Sequence, residues 1–373
     1  MLKHPLSETE RVDWVRLIRT DNVGPITFFR LLERFGSAAA ALKALPEMAR
    51  RGGRAAPLRI PARAEAEREL ATAARLGVRL VAACEPDYPE PLAAIDDAPP
   101  VLAVRGHVHL LHRPAVAVIG ARNASLAGRR FTQQLARELG ESGMVVVSGL
   151  ARGIDTAAHE GALAAGTVAV LAGGVDVVYP EENEALYRRI VEQGAAVAEP
   201  ALGTQPQARH FPRRNRLISG LSRGVVVVEA ALKSGSLITA ARALDQGREV
   251  LAVPGSPLDP RCHGTNALIR QGATLVQSAA EVLEALARQT PPALAEPELD
   301  FGAAPPPASP SDSELAAARS VILERLSPTP VPVDEVIRGC QLSAAIVQTV
   351  LLELELAGRI ERRSGNQVNL LDS

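Results

Sequence analysis

AVAVIGARNASLAGRRFTQQLARELGESGMVVVSGLARGID, residues 115–155, holds the pattern on which the fold turns. It opens on an apolar run, Val116–Ile119, breaks at Gly120, and passes through a helical stretch. A second apolar run, Met144–Val147, follows and ends in the glycine-rich segment Ser148–Asp155. Strands that are apolar without alternation are buried on both faces. Alternation of such strands with helices builds a parallel sheet with right-handed crossovers. The unit recurs downstream, with strands expected at Val168–Leu171, Ala195–Ala198, Val225–Val228, Glu249–Val253 and Thr274–Val276. The expected fold class is therefore α/β, a doubly wound, mostly parallel sheet, with residues 81–288 forming this domain and its lead-in.

Working outward, residues 1–80 read as helical. Ser7 and Glu10 make a capping box ahead of Val12, Trp14, Val15, Leu17 and Ile18. Asn22-Val23-Gly24-Pro25 is a turn, and Phe28, Leu31, Leu32 and Phe35 then mark one side of a second helix closed by Gly36. A third helix starts near Ser37. This stretch resembles a sterile-alpha-motif or helix-hairpin-helix bundle, and a plain packing bundle explains it equally well. On the other side, Pro291, Pro292, Pro297, Pro305, Pro306, Pro307 and Pro310 crowd a segment that cannot build a core and reads as a semi-stiff linker over 289–311. Beyond it, helices over 313–326, 333–339 and 343–357 and a hairpin around Ser364-Gly365-Asn366 form a winged helix, residues 312–373. Its third helix is expected to expose Ser343, Ala344, Gln348, Thr349, Glu353 and Glu355. With no basic residue until Arg359, a protein contact or regulatory role fits it better than reading the major groove.

Composition narrows the rest. Of 373 residues, 47% are hydrophobic and 22% charged, enough apolar material for true cores. The apolar runs are strand-sized, and the start Met-Leu-Lys-His-Pro lacks the core of a secretory signal. Three scattered cysteines, Cys84, Cys262 and Cys340, make neither a disulfide framework nor a metal spacing, so a cytoplasmic, reduced protein without a membrane partner is expected. Net charge is −1, which announces no nucleic-acid partner, but a local basic pocket can bind phosphate under a neutral sum. Only Lys3, Lys43 and Lys233 among 41 basic residues are lysine; the arginines that remain carry planar forks suited to phosphate oxygens.

In an open α/β sheet ligands bind beyond the carboxyl ends of the strands, and the distinctive motifs all fall there. Gly120 and Arg122 follow the first strand. Ser148, Gly149, Arg152 and Gly153 follow the second, with Asp155 or Thr156 expected to cap the next helix. Gly174 follows the third, ahead of Tyr179-Pro180. Arg213, Arg214, Asn215 and Arg216 crowd the start of another helix. Lys233, Ser234, Gly235, Ser236 and, one turn in, Thr239 follow the fifth strand. Glycines that allow close approach, amides at helix N-termini and arginine forks together suit a phosphate-bearing ligand. Phe211 and Tyr179 are the aromatic candidates for base stacking, with core packing the first expectation for each. Replacing Arg122, Arg214 and Arg216 is expected to abolish strand binding and leave the fold intact.

Read in order, these residues resemble the DprA (Smf) family, the DNA-processing proteins of natural transformation. The likeness runs through Asp87-Tyr88-Pro89, Pro99 to Leu102, Ser148 to Asp155, Phe211 to Ser219, Ser234 to Thr239, and Val253-Pro254-Gly255 with Gly264-Thr265-Asn266. It implies a Rossmann-like domain that binds single-stranded DNA, forms a homodimer and loads the RecA recombinase onto incoming strands, with a single-strand-binding protein as a further partner. It implies no catalytic residue, no metal and no cofactor. It also implies that Arg122 and the pair Asn215 and Arg216 lie in the DNA pocket. One departure stands out: after Tyr179-Pro180, where the family often has lysine, this chain has Glu181-Glu182.

The rival from another class is a nucleotide-binding enzyme like the lysine-decarboxylase-like phosphoribohydrolases. Their Pro-Gly-Gly-x-Gly-Thr block is incomplete at both Ala172-Gly173-Gly174-Val175 and Val253-Pro254-Gly255-Ser256, and Glu229 is the best available acid. No Gly-x-x-x-x-Gly-Lys-Ser/Thr sequence is present, which excludes a Walker-type NTPase. His159, next to the second loop, is expected to tie helix to loop by a hydrogen bond.

Overall fold

The computed structural model describes residues 3–288, 311–363 and 365–371; the proline-rich linker and Ser364 lie outside them. Two compact units emerge, one formed by Met1–Leu6 with Arg68–Pro292, the other by Ser7–Glu67 with Ala293–Ser373.

The second unit begins with α1 (Glu8–Ile18), α2 (Pro25–Phe35), α3 (Ala38–Arg51) and α4 (Arg63–Arg75), the last of which runs on into the first unit. The helix limits follow local chemistry. Ser7 and Glu10 close the expected capping box, Pro25 opens α2, and Gly36 ends it in the left-handed region at φ 74°. Trp14 packs edge-on against Phe28 with ring centroids 4.9 Å apart, and Leu17, Phe28, Leu31 and Leu45 are fully buried.

The first unit is built on nine strands. In chain order they are β1 (Val78–Ala82), β2 (Val101–Gly106), β3 (Ala115–Ile119), β4 (Val145–Ser148), β5 (Thr167–Val170), β6 (Ala195–Ala198), β7 (Gly224–Val227), β8 (Glu249–Ala252) and β9 (Thr274–Leu275). Between them lie α5 (Glu90–Ala93), α6 (Leu126–Glu141), α7 (Ile154–Ala162), α8 (Glu184–Gln193), α9 (His210–Gly220), α10 (Gly235–Asp245) and α11 (His263–Arg270), and α12 (Ala279–Arg288) follows. Spatial order is β1-β2-β6-β5-β4-β3-β7-β8-β9, so the chain winds outward from β3 one way to β6 and then the other way from β7. Strands β6 to β9 in that order pair in parallel. The lead-in adds two strands that were not expected from its sequence: β2 pairs antiparallel with β6, and β1 antiparallel with β2.

Every residue of β3, β4, β5, β6 and β7 is buried, which is why these strands read as continuous apolar runs. Val116, Val118, Val146, Val226 and Leu251 pack with Leu135, Ala136 and Leu139 of α6, Ala158 and Ala162 of α7, and Val282 and Leu286 of α12. The alternate residues Ala117, Val147, Val225 and Val227 are equally buried, so the opposite face is covered as well. His159 sits wholly inside the protein, its Nδ1 2.8 Å from the Thr167 hydroxyl, which ties α7 to β5 rather than to a loop. Burial pushes its pKa down from 6.5 to about 3, with the Arg214 charge adding to the effect. The sign follows from proton counts. Between these two values the unfolded chain binds a proton that the folded chain refuses, so stability falls as pH drops from 6.5 toward 3, by up to about 1.4 kcal/mol per pH unit. Urea titrations at pH 7 and pH 5 are expected to show that loss, with a smaller pH dependence in His159→Gln.

After the linker come α13 (Asp312–Arg325), β10 (Val331–Pro332), α14 (Val333–Cys340), α15 (Ala344–Leu356), β11 (Ile360–Arg363) and β12 (Gln367–Leu370). The three strands pair in the order β10-β12-β11, and the three helices enclose a core of Leu315, Ile322, Val336, Val347, Val350, Leu351, Leu354 and Val368. This is the expected winged helix with one extra short strand. Among the described residues no single helix is long and apolar enough to cross a membrane.

Candidate functional site

A pocket opens at the carboxyl ends of β3, β4 and β5, lined by Arg122, Gly149, Ala151, Arg152, Tyr179, Pro180, Phe211 and Arg214. Its floor is two loops laid on each other. Gly153, the residue before α7, has φ 79°, and a Cβ there would lie 2.3 Å from the Ala121 carbonyl and 2.6 Å from that of Arg122. Only glycine combines that backbone with that contact, so the Arg122 loop rests directly on the β4–α7 turn. The helix is not capped by Asp155 or Thr156. Gly153 is the N-cap, and Asp155, inside the first turn, reaches back to accept from the amides of Gly149 (3.1 Å) and Ala151 (3.3 Å). Asn183 then joins the next loop to this one, donating to the Leu150 carbonyl at 2.9 Å.

Arg214 is the central group. It is 6% exposed, yet its guanidinium reaches the pocket wall beneath Gly149 and donates to the Val170 carbonyl at 3.2 Å. Its Nε is buried without a hydrogen-bond partner. Burial lowers its pKa to about 10, opposed by the Asp155 charge and assisted by that of Arg122, so it stays cationic at neutral pH. Asp155 is itself pushed up by burial, against the pull of Arg214. A Cβ on Gly149 would come within 1.5 Å of the Arg214 Nη1, so this glycine is required to leave the guanidinium its place.

An aromatic edge completes the pocket. The Phe211 ring lies 5.2 Å from the Arg122 guanidinium carbon and 5.9 Å from that of Arg214, within cation–π range. Tyr179 meets Phe211 edge-on at 5.7 Å between centroids. Tyr179 is 49% exposed, which removes core packing as its role, and Phe211 is partly buried with its ring lining the pocket. Arg152 is exposed at the rim, paired to Glu182 at 3.3 Å.

The remaining expected residues separate into those near this pocket and those spent elsewhere. Gly120 packs against Ile154, where a Cβ would meet the Ile154 side chain at 2.7 Å. Ser148 is fully buried with its hydroxyl donated to the Val118 carbonyl at 2.7 Å, so it offers nothing to a ligand. Gly174 joins its loop to the one after β6, donating to the Thr204 carbonyl at 2.9 Å. Arg213 and Lys233 are exposed. Ser234 caps α10 and shares a 2.7 Å hydroxyl contact with Ser236, and Thr239 is buried. The Asn215 side-chain amide donates to the Gly235 carbonyl at 3.5 Å. Asn215 and that loop therefore lie outside the residues lining the pocket.

Arg216 corrects an expectation. It is 6% exposed, holds Glu199 with two contacts of 2.6 and 2.7 Å, and donates to the Asp97 carbonyl. Its charge is consumed inside the protein and is not free for phosphate. Three arginines in four residues made one cluster in sequence, but a helix turns about 100° per residue and sends them to different faces. Replacing Arg214 and Arg216 consequently cannot spare the fold. Ala151, which lines the pocket, carried no sequence signal beyond its place between two site residues. Glu229 accepts from the Ser125 amide at 2.9 Å and from its hydroxyl, fixing the start of α6.

Fold and site together define a class: a doubly wound α/β protein with an electropositive, aromatic-edged pocket at its strand ends, preceded in sequence by a helical module and followed by a winged helix. The chain belongs to the DprA (Smf) family. The family model for DNA recombination-mediator protein A matches residues 79–287, that for the DprA-like N-terminal HHH domain residues 8–72, and that for the DprA winged helix domain residues 305–366. Protein Smf of Escherichia coli is 42% identical over 76% of this chain and 75% of its own length. Protein Smf of Synechocystis is 31% identical over 96% of this chain and 98% of its own. The X-ray structure of DNA processing protein A from Streptococcus pneumoniae superposes with a TM-score of 0.61 at 36% identity, covering 76% of this chain and 98% of that one. The protein from Helicobacter pylori, described for its single-stranded DNA binding mode, superposes with a TM-score of 0.52 at 30% identity, covering 57% of this chain and 96% of that one.

Proposed function

We propose that the pocket binds single-stranded DNA by its phosphates and bases, without covalent chemistry, and that the protein protects incoming strands and loads RecA onto them during natural transformation. It does so as a cytoplasmic homodimer, with a single-strand-binding protein as a further partner. The observation that carries the reading is Arg214: a buried cation with an unpartnered Nε, beside Arg122 and a flanking aromatic ring, in a glycine-floored pocket. Two like charges converging in a partly dehydrated site favour an anionic ligand, and an arginine-flanked ring offers a stacking surface to a base. Membership of the family and the single-stranded DNA binding described for the Helicobacter pylori relative support the same reading. The rival nucleotide-cleaving reading needs a free acid, and Glu229 is occupied by Ser125.

Fluorescence anisotropy of a labelled oligo-dT across a salt series, with duplex DNA and mononucleotides as competitors, tests the proposal. Tight, salt-sensitive binding that neither competitor reverses is expected; displacement by a mononucleotide would replace the polymer with a small ligand. Glu181 and Glu182 act as tuning residues beside the pocket. The Arg152–Glu182 pair is more than half exposed on both sides, so breaking it costs little stability, about 0–1 kcal/mol. Glu182→Gln frees Arg152, and oligo-dT binding is expected to tighten by up to about fivefold; no change would remove Arg152 from the interface.

A further inference from the structure

The third helix of the winged helix, α15, carries two buried stripes where its own domain needs one. Val347, Val350, Leu351 and Leu354 face the winged-helix core. The second stripe, Thr349, Leu352, Glu353 and Leu356, repeats the same i, i+3, i+4, i+7 spacing on another face and is equally buried, between 0% and 7% exposed. Leu352 and Leu356 do not belong to the winged-helix core cluster. Thr349 and Glu353, expected to be exposed, are therefore covered, and so in large part is Glu355.

The N-terminal bundle of the same unit packs against this stripe. Arg34 on α2 donates to the Thr349 hydroxyl at 2.7 Å, and the Asn22 amide donates to the Leu356 carbonyl at 3.1 Å. Gly52, at the end of α3, lies so close that a Cβ there would meet the Glu353 carbonyl oxygen at 2.0 Å and the Ala357 Cβ at 2.8 Å. The Glu353 carboxylate is held from within the winged helix, by Arg319 of α13. Arg51 pairs with Asp312 at 2.8 Å at the start of α13. The wing is turned inward as well: Arg362 donates to the Gln348 side chain at 3.0 Å and stands 3.5 Å from the Glu355 carboxylate.

We propose that the N-terminal helical bundle is the docking partner of α15, so that this winged helix works as an intramolecular clasp and does not read DNA with its third helix. A groove-reading helix must present an exposed polar face to base edges. Here the face from Thr349 to Leu356 is apolar and acidic and lies against protein, and the exposed first turn, Ser343 to Ala345, carries no cation or amide to read a base. The residues concerned are separate from the pocket, so the clasp stands or falls independently of strand binding.

The test is a full-length chain carrying a protease site within residues 289–310, cleaved and passed through size exclusion at low micromolar concentration. The winged-helix piece is expected to stay with the larger piece. Gly52→Gln wedges α3 away from α15, and Thr349→Arg sets a second guanidinium against Arg34. Each is expected to release the piece, weakening its association by about tenfold or more. Release from the unmutated protein overturns the proposal. Retention in both variants overturns it too, because the piece is then held by a different surface. Circular dichroism of the uncleaved variants separates release from unfolding, and the two substitutions lie on opposite sides of the contact.

Discussion

Arg122→Ala is expected to weaken oligo-dT binding by about 10- to 100-fold while leaving the melting temperature unchanged. The magnitude is that of a charge-assisted hydrogen bond to phosphate, roughly 1.5–3 kcal/mol. Arg122 is exposed at the pocket and its side chain meets the half-buried Phe211 ring, so the loss falls on binding alone. Its companion is Phe211→Ala. Loss of a stacked base costs about 1–3 kcal/mol, so the affinities of the two variants fall by similar amounts. Salt separates them. Removing a phosphate contact lowers the slope of log K against log salt by about 0.7 for a single strand, whereas removing a stacking surface leaves it alone. Anisotropy titrations over a range of salt concentrations read both quantities. Full affinity in Arg122→Ala would place the strand elsewhere on the protein.

The second large effect is on stability. Arg216→Ala is expected to cost about 3–5 kcal/mol, because it leaves Glu199 facing a buried vacancy beside Asp97. For a domain of this size that corresponds to a fall of roughly 6–20 °C in melting temperature. Arg216→Lys is not expected to rescue it, since one ammonium cannot replace both Nη2, which holds the Glu199 carboxylate, and Nη1, which reaches the Asp97 carbonyl. Differential scanning calorimetry measures the loss. A melting temperature within about 2 °C of the unmutated protein, a threshold of about 0.5–1 kcal/mol, would mean the ion pair contributes nothing net. Together the two variants separate two expected roles for arginine in this domain, ligand contact at Arg122 and scaffold at Arg216.

Much of the fold was legible in the sequence because it rests on local rules. The seven parallel strands read as apolar runs since both faces are covered, and each lies within a residue or two of its expected place. The caps at Ser7, Ser37 and Ser234 were readable because capping is decided within three or four residues. The glycine loops were legible as a group, because an open α/β sheet gathers them at the carboxyl ends of its strands whatever the side chains are, and a pocket opens there. The strands β1 and β2 were not legible; their pairing is set by the edge that β6 leaves open, which no local pattern records.

Tertiary structure decided the fate of polar residues. Arg213, Arg214 and Arg216 stand within one helical turn, yet one is exposed, one lines the pocket and one is locked to Glu199. Likewise Thr349 and Glu353 read as a solvated face until α2 meets the first and Arg319 of α13 pairs with the second. By itself the sequence determined the parallel strands and the capped helices between them, since these follow from periodicity and turn chemistry along the chain. Which charges stay open to the pocket and which meet each other was decided only in three dimensions. Burial and partnership depend on residues remote along the chain, as Arg216 depends on Asp97, 119 positions away.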